Sequence, residues 1–168
     1  RMRSLLVRSS FRCSGSSAAF SVVPHASRNA PEYDRLRMEA ESELRALCVR
    51  KQFHEMDSRF AQLKEQGVKP NKFSYITMLR AAELQRDPNR AVALFLEMRR
   101  DWVPTAKAYK HVVNTLATAR RPVEGTQLLL EFLSNTKPDM LEKSRDEVIA
   151  MAARLINRID AHENEQAY

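Results

Sequence analysis

Four histidines, two cysteines and 21 acidic residues are the groups in this 168-residue chain with the chemistry for acid–base, nucleophilic or metal work. Their spacing argues against all three. His25, His54, His111 and His162 stand far apart, and none has a second ligand at the H-x-x-x-H interval that sets two imidazoles on one helix face. Cys13 and Cys48 lie in segments of unlike composition, which gives neither a disulfide framework nor a metal pair. Cys48 reads as a small core residue. Glu41 and Glu43 sit among polar neighbours, a poor setting for a general acid. There is no G-x-S-x-G, no phosphate-cradling glycine loop and no dinucleotide fingerprint. We therefore expect no enzyme, no cofactor, no metal and no small-molecule substrate.

The remaining chemistry is that of cations. The chain carries 28 Lys and Arg and a net charge of +7. Residues 1–31 hold Arg1, Arg3, Arg8, Arg12 and Arg28 and no acid, so +5 of that charge falls in this segment. Arginine and serine mixed with Leu5, Leu6, Val7 and Phe11, without acids, is the composition of an organellar transit peptide, more mitochondrial than secretory. The expected location is the mitochondrial matrix. Such a segment buries too little apolar surface to order itself. A partner is expected to hold it, either RNA phosphates, for which arginine is well suited, or an acidic protein groove. Beyond the tail the charge alternates. Residues 80–121 carry nine basic and four acidic residues, and residues 122–168 carry five and nine. No run of eighteen apolar residues occurs, so no transmembrane helix is expected.

The elements that would position these groups follow from an interval. Pro70, Pro104 and Pro138 are spaced 34 residues apart, as are Tyr75 and Tyr109. A fixed period of this size marks stacked supersecondary units. Between the prolines the apolar residues recur at helical spacing. Phe73, Met78, Leu79 and Ala82 predict one helix, and Ala91, Leu94, Phe95 and Met98 a second, with Asp87 as cap and Pro88 as first helical residue. Tyr109 and Val113, then residues 123–134 with Leu128, Leu129 and Phe132, predict the next pair. Gly125 weakens that second helix modestly. An earlier pair spans about 32–51, with Leu36, Ala40, Leu44 and Leu47 inward, and about 53–66, stopped by Gly67. After Pro138, a helix with Val148, Met151, Ala152, Leu155 and Ile159 on one face is read as a cap on the stack, with residues 160–168 frayed. The expected fold is all-α: an α-solenoid of about three hairpins (about 37–71, 72–105 and 106–139 within 32–139), a C-terminal capping region over 140–168 and an extended N-terminal tail.

The units resemble the pentatricopeptide repeat family. The matching residues are Phe73-Ser74-Tyr75-Ile76-Thr77-Met78-Leu79, Ala91-Val92-Ala93-Leu94-Phe95-Leu96-Glu97-Met98 and Gly67-Val68-Lys69-Pro70-Asn71, with Thr136-Lys137-Pro138-Asp139 more loosely. The resemblance covers about residues 37–139. It implies a solenoid whose first helices line a concave face, and in long members the reading of single-stranded RNA at one base per repeat. The family's two base-reading positions carry over to Glu41 with Asn71, Ile76 with Thr105, and Lys110 with Asp139. None of these pairs matches the family's usual combinations of Asn, Ser or Thr with Asp or Asn, and Ile76 offers a base edge no hydrogen bond. Lys107 and Lys110 remain as phosphate contacts and Phe73 as a stacking platform, with packing and a solvated face as the plainer readings. Taken together, the resemblance implies a non-catalytic subunit of a mitochondrial ribosome, scaffolding rRNA and neighbouring ribosomal proteins. An accessory subunit of an ATP synthase or respiratory complex, and a mitochondrial RNA-processing factor, remain as alternatives.

Overall fold

In the computed structural model, which describes residues 31–166, eight helices account for nearly all of the chain: α1 (Pro31–Val49), α2 (Phe53–Glu65), α3 (Lys72–Gln85), α4 (Pro88–Asp101), α5 (Ala106–Thr118), α6 (Pro122–Asn135), α7 (Pro138–Lys143) and α8 (Arg145–Gln166). Each boundary has a local cause. Asn71 opens α3 by accepting the Ser74 backbone N–H at 2.8 Å, and Asp87 opens α4 by accepting that of Arg90 at 3.0 Å. Pro88 and Pro122 occupy first helical positions, where a missing N–H costs nothing. After α2 the chain is turned by Gly67, whose φ of 72° suits glycine, and Val68 donates back to the Leu63 carbonyl at 3.0 Å.

Three hairpins form, α1 with α2, α3 with α4 and α5 with α6. They stack because α3 packs on α1 and α5 packs on α3, while α4 also touches α5. The structure is thus a short α-solenoid of helical hairpins. First helices are buried on several sides. On α5, Ala108, Tyr109, Val112, Val113, Leu116 and Ala117 are all buried. Such a helix has no water-facing stripe, because neighbours cover it from both stacking directions. The largest fully buried side chains are Leu44, Met56, Met78, Leu79, Phe95, Met98, Leu116 and Met151. Each contributes about 1.5–3 kcal/mol of transfer free energy. An exposed ion pair contributes about 0.2–1 kcal/mol. Apolar stacking therefore holds the array, and its surface charges do not.

The structure departs from the sequence expectation in five places. Leu36 is 36% exposed and Phe73 48% exposed, so neither belongs to the core. The core contact near the start of α1 comes from Tyr33, whose hydroxyl accepts the Lys69 backbone N–H at 2.9 Å. Pro138 does not repeat the role of Pro70 and Pro104. Those two precede the N-caps Asn71 and Thr105, whereas Pro138 is itself the first residue of the short helix α7. Helix α8 continues to Gln166 rather than fraying at 160. It lies on α5 and α6, where a fourth first helix would lie. Met151 and Leu155 face inward, but Ile149 and Ile156 are each 55% exposed and Ile159 40% exposed, so the cap has an apolar outer side. Gly125 has a positive reason to be glycine. A Cβ there would lie 2.8 Å from Leu155 Cδ2, so its absence lets α8 close onto α6.

Phe95 is 1% exposed at the centre of the stack. Phe95→Ala is expected to lower the unfolding free energy by about 3–5 kcal/mol in urea denaturation. A loss under about 1 kcal/mol would place the ring outside the core.

Candidate functional site

Two equivalent side-chain clusters join the hairpins. In the second unit Tyr75 of α3 donates its hydroxyl to Glu97 Oε1 on α4 at 2.9 Å. Its ring meets Phe60 of α2 edge-on at 5.5 Å. Lys64 of α2 reaches the same Glu97 oxygen at 2.5 Å and lies 4.4 Å from the Phe60 centroid. In the third unit Tyr109 of α5 donates to Glu131 Oε1 on α6 at 3.0 Å, and its ring meets Phe95 of α4 at 4.9 Å. Arg99 of α4 pairs with Glu131 at 2.9 Å, its guanidinium 5.7 Å from the Phe95 centroid. Each cluster therefore ties both helices of one hairpin to the second helix of the hairpin before it. Burial, then the hydrogen bond to Glu131 and its charge, push the Tyr109 hydroxyl up to about 12. The same causes raise that of Tyr75. Both hydroxyls are proton donors at any physiological pH, and neither is poised to act as a base.

A third link joins α3 to α5 on the side of the first helices. Glu83 accepts from Asn114 Nδ2 at 2.9 Å and meets His111 Nδ1 at 2.6 Å. Burial alone would raise the Glu83 carboxyl. The hydrogen bonds from His111 and Asn114, with the nearby charges of His111 and Arg154, outweigh it and hold the carboxyl below its ordinary value of 4.5. His111 is thus committed to a structural carboxylate.

The positions singled out by the repeat pattern are distributed as follows. Glu41 and Asn71 meet each other, with Asn71 Nδ2 donating to Glu41 Oε2 at 3.0 Å. Asn71 Oδ1 meanwhile accepts from both the backbone N–H and the hydroxyl of Ser74. Arg45 holds the other Glu41 oxygen at 2.5 Å. Ile76 is partly buried against the core. Thr105 is the N-cap residue of α5, yet its side chain makes no cap bond. Lys110 is half-buried on α5, and Asp139 is exposed in the first turn of α7. Arg1, Arg3, Arg8, Arg12 and Arg28 lie outside the described residues.

Ile76, Thr105 and Lys107 come together at a groove of about 570 Å³ between α3, α5 and α7–α8. Its apolar wall includes Phe73, Val103 and Met140, and Lys72, Lys107, Lys137 and Lys143 border it beside one acid, Glu147. Such a groove suits an amphipathic anion. It offers no nucleophile–base pair, and among the described residues no group of three or more His, Cys, Asp or Glu is placed to hold a metal.

The tyrosine–glutamate clusters were missed in the sequence, although half of their signal is there. Tyr75 and Tyr109, and Glu97 and Glu131, each repeat at 34 residues. The aromatic and basic members do not: Phe60 and Phe95, and Lys64 and Arg99, repeat at 35. The one-residue excess between the first and second units hides them from a search at a single period. Comparison with protein-family models and with curated proteins matched none. Among the described residues no helix is long and apolar enough to cross a membrane.

Tyr109→Phe keeps the ring and removes the hydroxyl. It is expected to cost about 1–2 kcal/mol in urea unfolding, because Glu131 retains Arg99 as partner. An unchanged midpoint would mean that the hydroxyl bond adds nothing. For Glu83 the sign is that of a carboxyl depressed on folding. Its stabilisation is present above 4.5 and is lost as pH falls through the lower folded value. The stability gap between the native protein and Glu83→Gln should therefore shrink between about pH 5.5 and about pH 3. A gap that stays constant would show that the carboxylate is not held in its charged form.

Proposed function

We propose that this chain is a short pentatricopeptide-type protein that serves as a non-catalytic structural subunit of a mitochondrial ribosome, in the matrix, bridging rRNA and neighbouring proteins. The observation that carries this reading is the engagement of Asn71. Its amide donates to Glu41 and its carbonyl caps α3, so the polar groups suited to a base edge are used inside the stack. A base presented there would have to break a helix cap to be read. With Ile76 packed against the core, sequence reading has little to work with, and a scaffold role fits better than a transcript-specific one. The basic segment 1–31 adds charge suited to phosphate, and the lysine-bordered groove adds a second place for an anionic neighbour.

One observation favours the accessory-subunit reading. Leu96 and Leu130 repeat at 34 residues on the outer sides of α4 and α6 and are 53% and 57% exposed. An apolar row of this kind suits protein docking rather than RNA.

Sedimentation of detergent-solubilised mitochondria separates the two. Under the ribosomal reading the protein travels with a ribosomal subunit, and RNase treatment shifts it together with the rRNA. Recovery only with an inner-membrane enzyme complex, unaffected by RNase, would replace that reading with the accessory-subunit one.

A further inference from the structure

The turns inside the three hairpins share a costly feature. Lys51, Arg86 and Arg120 have φ of 59°, 56° and 61°, the left-handed conformation that favours glycine. Among the described residues these are the non-glycine positions with positive φ, and all three are basic. Each turn closes in the same way. Gln52 N–H returns to the Leu47 carbonyl at 3.0 Å, Asp87 N–H to that of Ala82 at 3.0 Å, and Arg121 N–H to that of Leu116 at 2.9 Å. Glycine would satisfy this geometry without strain. Strain of this kind, repeated at equivalent positions, points to a function for the side chain.

The three turns lie side by side. Arg121 Nη1 donates to Asn89 Oδ1 at 3.0 Å, linking the third turn to the second. Arg90 bonds to Asp57, linking the second to the first. Helices packed in this way place successive turns about 8–10 Å apart. Lys51, Arg86 and Arg120 are all exposed. The acids nearest to them are already engaged: Glu55 accepts from Gln52, Asp57 bonds to Arg90, Asp87 caps α4, and Glu124 takes both a 2.6 Å bond from Arg121 Nε and one from Nη2. The row therefore presents positive charge outward. It has no exposed aromatic ring among its turn residues on which a base could stack, so it suits phosphates rather than bases.

We infer that the hairpin-turn edge, formed by Lys51, Arg86 and Arg120, is a binding surface for the phosphate backbone of an RNA helix. It is distinct from the groove between α3, α5 and α7–α8. This inference rests on the ribosomal reading for the identity of the RNA, and on the three strained turns for the surface itself.

The test uses the full chain and a 20-base-pair RNA duplex as probe. The triple variant Lys51→Gly, Arg86→Gly, Arg120→Gly removes the charges and relieves the backbone. Its Tm should hold or rise. Its affinity for the duplex should fall, and the loss of affinity between about 50 and about 200 mM salt should be smaller by about fortyfold, as expected for three lost phosphate contacts. The triple glutamine variant keeps each Cβ and should show the same loss of affinity, which guards against a folding artefact of glycine. RNA should also protect Lys51 from acylation more than Lys107. Unchanged RNA affinity and salt dependence in both variants would overturn the inference. So would intact RNA binding with lost binding to phosphatidylglycerol vesicles or to an acidic peptide, which would assign the edge to a lipid or protein surface. If the wild type sediments with the ribosome and the variants do so equally, the edge is wrong and the scaffold reading survives. If the wild type does not sediment there, the scaffold reading falls while duplex binding still decides the edge.

Discussion

A tyrosine hydroxyl given to a glutamate across one hairpin, with the ring set edge-on against a phenylalanine of the hairpin before it, is the contact on which this stack is built. It occurs at Tyr75 and again at Tyr109. Each instance does two things at once. It fixes the two helices of a hairpin relative to one another, and it fixes that hairpin on its predecessor. The basic residue behind each glutamate, Lys64 or Arg99, balances the carboxylate that the tyrosine draws inward. A hairpin alone would leave the aromatic edge and much of the first helix uncovered, which is why such units are stable as an array.

From that constraint follows the division of the surface. First helices are consumed by stacking, so their polar positions are drawn into contacts between units, as Glu83 is with His111 and Asn114 and as Asn71 is with Glu41. Free chemistry is pushed to the two edges. At one edge lie the proline linkers, crossed by Trp102 Nε1 donating to the Pro70 carbonyl at 3.2 Å and by Lys69 meeting Asp101 at 2.7 Å. At the other lie the hairpin turns with their left-handed basic residues. Electrostatic reach to a large anionic partner is available at these edges without disturbing the core, since surface charges contribute little to holding the stack.

The C-terminal end shows how a repeat array stops. Helix α8 occupies the place of another first helix, seated closely because Gly125 has no side chain. Its inner face, through Met151 and Leu155, is that of a repeat. Ile149 and Ile156 on its outer side are not covered within the described residues. The end of the stack is therefore sealed on the inside and apolar on the outside.

Periodicity made the fold legible from the chain alone. The 34-residue interval of Pro70 and Pro104, the caps Asp87 and Asn71, and the apolar faces of α4 and α5 come from local rules: a proline cannot continue a helix, and a helix turns every 3.6 residues. These rules act within a few residues, so sequence suffices to apply them. Other features depend on what lies opposite in space. Phe73 and Leu36 have the character of core residues yet lie at a stack edge, because the helix rotates about its axis to suit its neighbours. Asn71 has the character of a reading residue yet is taken by Glu41, 30 positions earlier. Pro138 keeps the interval and changes its role, since α7 begins on it. Lys51, Arg86 and Arg120 give no sign in sequence of a left-handed backbone, because that conformation is imposed by the closing of each hairpin and not by the residue that bears it. The sequence determined which segments are helical and that they repeat. Only packing decided which side chains remained free to meet a partner, because a polar group's availability is set by the neighbours that reach it first.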